Sequence, residues 1–91
     1  GWFSPGAPFR VSVRVGGTNW PQALQDAPPA LPGVTVRKEK GGTVLLSFHA
    51  TELSGPTRFV LQFGADAEVI EPKALRDHIA KTLKAMTAKY R

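Results

Sequence analysis

Val34-Thr35-Val36-Arg37-Lys38-Glu39-Lys40-Gly41-Gly42-Thr43-Val44-Leu45-Leu46-Ser47-Phe48-His49 is the stretch on which the fold turns. Val34 and Val36 alternate with Thr35 and Arg37, and two glycines separate them from a second alternating run. Successive residues of a strand point to opposite sides, so Val44, Leu46 and Phe48 make one face and Thr43, Leu45, Ser47 and His49 the other. Paired glycines between two such runs predict a β-hairpin. The second strand of the hairpin is the greasier, which suits the sheet interior. The first carries Arg37, Lys38, Glu39 and Lys40, which suits an edge.

Outward from the hairpin, the chain repeats one grammar on each side. Upstream, Phe9, Val11, Val13 and Val15 alternate with Arg10, Ser12 and Arg14, a half-buried strand. Gly16-Gly17 stop it. Thr18 or Asn19 can cap a short helix in which Trp20, Ala23, Leu24 and Ala27 share a face, Pro21 sits in the first turn, and Pro28-Pro29 end it. Downstream, residues 51–64 fit two patterns: Phe59, Leu61 and Phe63 suit a strand, whereas Leu53, Val60 and Phe63 with Gly64 suit a helix. Ser54-Gly55-Pro56 favours the helix. Asp66 to Glu71, with Val69 and Ile70, is short and strand-like. Pro72 then opens a long helix whose Leu75, Ile79, Leu83, Met86 and Tyr90 recur at spacings of 4, 4, 3 and 4, with Asp77 placed to support Lys81. The order β-α-β-β-α-β plus one helix predicts an α+β, ferredoxin-like sandwich with an additional C-terminal helix. Strands one and three are expected at the centre, and two and four at the edges.

With 91 residues, 42% of them hydrophobic, the chain has room for one domain. Gly1-Trp2-Phe3-Ser4-Pro5-Gly6-Ala7-Pro8 reads as a linker leaving a preceding domain, which assigns 1–8 to the linker and 9–91 to the domain. The absence of Cys removes disulfide frameworks, thiolate metal sites and thiol nucleophiles. No apolar run approaches the ~20 residues that span a bilayer, and no signal-peptide pattern opens the chain. The expected setting is cytoplasmic, with no membrane partner. Charge is unevenly spread. Lys73, Arg76, Lys81, Lys84, Lys89 and Arg91 face Asp77 alone, which accounts for the whole net charge of +5; six basic and six acidic residues precede them.

Candidates for catalysis are few, and no catalytic residue, metal site or cofactor is expected. His49 and His78 fall in different elements and read as ordinary polar residues. Asp66, Glu68 and Glu71 surround one short strand; alternation puts Asp66 and Glu68 on one face, more a solvated acidic edge than a cation site. Val15-Gly16-Gly17-Thr18-Asn19 joins a strand to a helix but lacks the Gly-Lys-Ser/Thr of a P-loop and the third glycine of a dinucleotide fingerprint. Two surfaces remain. Arg10, Arg14 and Arg37 are expected on the sheet face turned away from the helices, beside Ser12, Thr35, Leu45 and Ser47. Three guanidiniums there suit phosphate or carboxylate recognition, and a plain solvated face is the competing reading. That face lacks the aromatics on which an RNA-recognition motif stacks bases. The apolar stripe Leu75, Ile79, Leu83, Met86 and Tyr90 needs a partner, because covering the arginines would strand charge. An edge of the sheet, another domain or another subunit can supply it.

Between residues 57 and 79 the chain carries a helix closing on Phe63-Gly64, then Glu68-Val69-Ile70-Glu71-Pro72, then Leu75-Arg76. This run resembles the C-terminal extension (WCX) domain of bacterial WYL-domain transcription regulators, and the strand Phe9 to Val15 matches that domain's opening. The resemblance implies a helix over 54–63 and a ferredoxin-like domain downstream of a winged-helix DNA reader and an Sm-like WYL domain. Regulators of this family respond to effectors, single-stranded DNA among them in some members. Their C-terminal domain contributes to dimer formation and to communicating the signal. The implied partners are a second copy (homodimer), the preceding WYL domain of the same chain, single-stranded DNA as effector, and duplex DNA through the winged-helix domain. Gly55-Pro56 and Phe59 depart from the family, where a longer helix and Trp are common. A non-enzymatic regulatory module is therefore expected. The alternative is direct binding of single-stranded nucleic acid or a phosphorylated ligand on the basic sheet face, and a third reading, a small-molecule sensor or enzyme fragment, needs a pocket beside His49 or Asp66.

Overall fold

The structure, a computed structural model, describes residues 7–16 and 33–91. The helix expected around Trp20 to Ala27, most of the proposed linker and Gly17-Thr18-Asn19 lie outside the described residues. Four strands form one antiparallel sheet: β1 (Phe9–Val15), β2 (Thr35–Lys38), β3 (Val44–Ala50) and β4 (Ala67–Glu71), in the order β2-β3-β1-β4. Helix α1 (Ser54–Leu61) and helix α2 (Lys73–Lys89) complete the described elements. This is the α+β, ferredoxin-like arrangement, with β1 and β3 central and β2 and β4 at the edges as expected.

The hairpin forms where the two glycines stand. Gly41 (φ 81°) and Gly42 (φ 82°) both take left-handed backbone that side-chain-bearing residues rarely adopt. The Glu39 N–H donates to the Thr43 carbonyl at 2.9 Å to close the turn. Cross-strand register then sorts the side chains. Val11 faces Phe48, Val13 faces Leu46 and Val15 faces Val44 on the core side; Arg10 faces His49, Ser12 faces Ser47 and Arg14 faces Leu45 on the other.

Residues 51–64 resolve as helix followed by a turn, not as strand. The helix start explains why Gly55-Pro56 begins α1 instead of interrupting it. The Glu52 carboxylate accepts hydrogen bonds from the backbone N–H groups of Ser54 (2.6 Å) and Gly55 (2.9 Å) and from the Ser54 hydroxyl. These are donors that a helix start leaves without intrahelical partners. A Cβ at Gly55 would stand 2.8 Å from the Glu52 carboxylate, so glycine lets the two approach. Pro56 sits in the first turn, where its missing N–H costs nothing. The Ser54 hydroxyl bond first, then the Gly55 N–H, holds the Glu52 carboxyl below its ordinary value.

The core lies between one sheet face and the two helices. Val11, Val13, Val15, Val44, Leu46 and Phe48 from the sheet meet Phe59, Val60 and Phe63 around α1, Val69 of β4, and Leu75 and Ile79 of α2. Phe59 is its hinge, packing edge-to-face on Phe48 (5.4 Å between ring centres) and on Phe63 (5.3 Å).

Candidate functional site

The sheet face bearing Arg10, Arg14 and Arg37 is charge-balanced. Arg14 Nε donates to Glu39 Oε1 at 2.9 Å, and its Nη1 lies 4.0 Å from Glu68. Arg37 lies 3.8 Å from the other oxygen of Glu39, and Arg10 lies 3.7 Å from Glu71. Glu39, through its hydrogen bond and then its charge, holds the Arg14 guanidinium above its ordinary value. Three guanidiniums are thus matched by three carboxylates across one surface.

A bulge produces this match. Ser12 pairs with Glu71 and the next residue, Val13, pairs with Val69, so β4 holds one residue more than β1 over this step. Glu68 and Glu71 are three apart, and strict alternation would put them on opposite faces; the bulge turns both toward the arginines. Asp66, expected to share a face with Glu68, lies instead in the turn before β4. Ser12, expected to face solvent, is only 4% exposed, and its hydroxyl donates to Glu71 at 3.1 Å and lies 3.4 Å from the Ser47 hydroxyl. Glu39, Glu68 and Glu71 were not read from the sequence as partners of these arginines. The available signal was topological: with β4 beside β1, its acidic residues must stand next to Arg10 and Arg14.

Helix α2 divides its apolar stripe. It lies against β4 and α1, and Leu75 (0% exposed) and Ile79 (9%) are part of the core, while Leu83 (46%), Met86 (43%) and Tyr90 (88%) stand in solvent. Of the five residues expected at an interface with another subunit or domain, Leu75 and Ile79 are therefore consumed inside the chain. Arg76 belongs to the proximal half. Its Nη1 donates to the Val69 carbonyl at 2.6 Å and lies 3.9 Å from Glu68, so the side chain holds the edge strand β4 to the helix. Beside Arg76, which with Glu68 makes its charged wall, a groove of about 230 Å³ opens between β4, α1 and α2, with Val60, Ala67, Val69, Ile79, Ala80 and Leu83 on its apolar side.

Of the remaining candidates, His49 lines a shallow recess of about 200 Å³ with Arg10, Gly33, Thr35, Ser47 and Phe48. His49 and His78 are exposed, on the end of β3 and on α2. Among the described residues no group of His, Asp and Glu is placed to hold a metal ion. The Gly16 N–H, a candidate anion donor in the sequence, donates to the Asp66 carbonyl at 2.8 Å. No described helix is long and apolar enough to cross a membrane.

The residues that carry the resemblance to the WCX domain have structural tasks. Phe63 is in the core, Gly64 takes left-handed backbone (φ 61°) on leaving the α1 end, Glu71 meets Ser12 and Arg10, Leu75 is fully buried, and Arg76 ties α2 to β4. No curated protein matches the chain in sequence. The family profile of the WCX domain matches residues 7–87, nearly the whole length, and the chain belongs to the WCX domain family.

Proposed function

We propose that this chain is the C-terminal regulatory and dimerisation domain of a bacterial WYL-domain, winged-helix transcription regulator, coupling effector sensing to DNA binding elsewhere in the regulator. The observation that carries this reading is the WCX match over residues 7–87. The exposed distal stripe of α2 supports it, since an amphipathic helix longer than the surface it packs on has a face to offer a partner. In this reading the domain performs no catalysis and acts in the cytoplasm. Its partners are a second copy and the WYL domain, with single-stranded DNA as an effector and duplex DNA held by the winged helix. The balance of Arg10, Arg14 and Arg37 by Glu39, Glu68 and Glu71 weighs against a polyanion as the main ligand of the sheet face. Light scattering of the chain over a dilution series from high to low micromolar tests the dimer. The expected result is a mass well above 9.8 kDa at the concentrated end, approaching twice that value. A monomer at every concentration overturns the dimerisation reading.

A further inference from the structure

The helix stripe, the groove and the two sheet edges together say how a second copy can sit, on the dimerisation reading above. We infer that two copies pair antiparallel along the distal half of α2, with Tyr90 of each entering the groove of the other beside Ile79. Four observations lead there.

The first is the spacing. Leu83, Met86 and Tyr90 follow one another at 3 and 4, the spacing of a two-helix seam, and Ile79, four residues before Leu83 and largely enclosed in its own core, ends that seam at the groove wall. A two-fold axis between Leu83 and Met86 lays Leu83 on the partner copy's Met86 and Tyr90 on its Ile79, over about 16 Å of helix. The second is shape. Tyr90 is the most exposed large apolar side chain of the described residues, and Ile79 and Ala80 line the groove, so projection and recess sit at opposite ends of one seam. A two-fold contact needs this self-complementarity, with each residue meeting its counterpart's site.

The third is charge. At 100° per residue Lys81 and Lys84 fall on the face opposite the seam, and the positions flanking it are Arg76, Ala80 and Thr87 on one side and Thr82 and Lys89 on the other. Like flanks meet across an antiparallel two-fold, so Lys89 lies beside His78 and Thr82 of the partner copy, while on the other flank Arg91 comes toward Arg76, whose charge Glu68 offsets at 3.9 Å. The fourth is that both sheet edges resist a strand. Arg76 occupies the Val69 carbonyl of β4 at 2.6 Å, and the four-residue edge strand β2 presents Arg37 and Lys38. A short seam of this kind gives a reversible dimer, since it is smaller than interfaces that stay associated on dilution.

The chain has no cysteine, so introduced thiols report without background. In an equimolar mixture of Leu83→Cys and Met86→Cys chains, mild oxidation should produce a cross-linked dimer containing one of each. A mixture of Lys81→Cys and Lys84→Cys chains should stay uncross-linked. Leu83→Glu should raise the dimer dissociation constant at least tenfold with the circular dichroism spectrum unchanged, because Leu83 is half exposed. Lys81→Glu, an equal or larger charge change on the far face, should leave it within about twofold. A wild-type dimer that survives Leu83→Glu overturns this geometry and leaves the dimerisation reading standing. A wild-type chain that is monomeric throughout overturns both.

Discussion

The two halves of α2 carry the same apolar period and meet different fates. Leu75 and Ile79 are enclosed by α1, β4 and the sheet, while Leu83 stands half exposed at the edge of the groove and Met86 and Tyr90 carry the stripe on into solvent. Periodicity therefore specifies that a helix forms and which side is apolar. It does not specify how far the neighbouring layer extends. Among the described residues the layer thins after Ile79, at the groove where β4 and α1 stop covering the helix. The proximal half belongs to the core, and the distal half is the surface that the proposed pairing uses.

That division can be broken by mutation, beginning where the effect is greatest. Leu75→Ala should cost about 2–5 kcal/mol, read from urea denaturation, because it empties a fully enclosed site. A cost under 1 kcal/mol would erase the distinction between the halves. Arg76→Ala should cost about 1 kcal/mol, the worth of one hydrogen bond, and should speed amide exchange in β4; unchanged exchange would mean that the arginine does not secure the edge. Arg14→Ala should leave the urea midpoint nearly unchanged, since its pairs with Glu39 and Glu68 are solvent-accessible. Glu52 tests the support of α1, which supplies Val60 to the groove. Its folded pKa lies below the ordinary carboxylate value of 4.5, so the unfolded chain binds more protons in that window. The stability it contributes is complete above that value and is lost as pH falls through the lowered pKa. Glu52→Gln should flatten the acid limb of the urea midpoint against pH, and an unchanged limb would remove the carboxylate from the helix start. Leu83→Ala, measured where the chain is monomeric, should shift stability by less than about 0.5 kcal/mol. A loss as large as that of Leu75→Ala would show the whole stripe to be core.

The hairpin and the central strands were legible because alternation is a property of neighbouring residues, and Val11, Val13, Leu46 and Phe48 need only their own strands to declare a face. The helix at 54–61 was less so: Phe59, Leu61 and Phe63 satisfy a strand as well, and the family-like Phe63-Gly64 together with Ser54-Gly55-Pro56 tipped the reading. The sheet face was legible only in part. Arg10, Arg14 and Arg37 were assigned correctly to one side, but their partners Glu39, Glu68 and Glu71 come from a turn and an edge strand. The bulge opposite Ser12 and Val13 changes which β4 residues face them. Nothing in the local pattern of Asp66 to Glu71 announces that bulge.

By itself the sequence determined the described elements, their order, the central and edge positions of the strands, and the family, because these rest on short-range periodicity, turn chemistry and motif spacing. The tertiary structure decided which arginines are neutralised and where the α2 stripe leaves the core. Both depend on inter-strand register and on the length of one layer against another, quantities set by packing between segments distant along the chain.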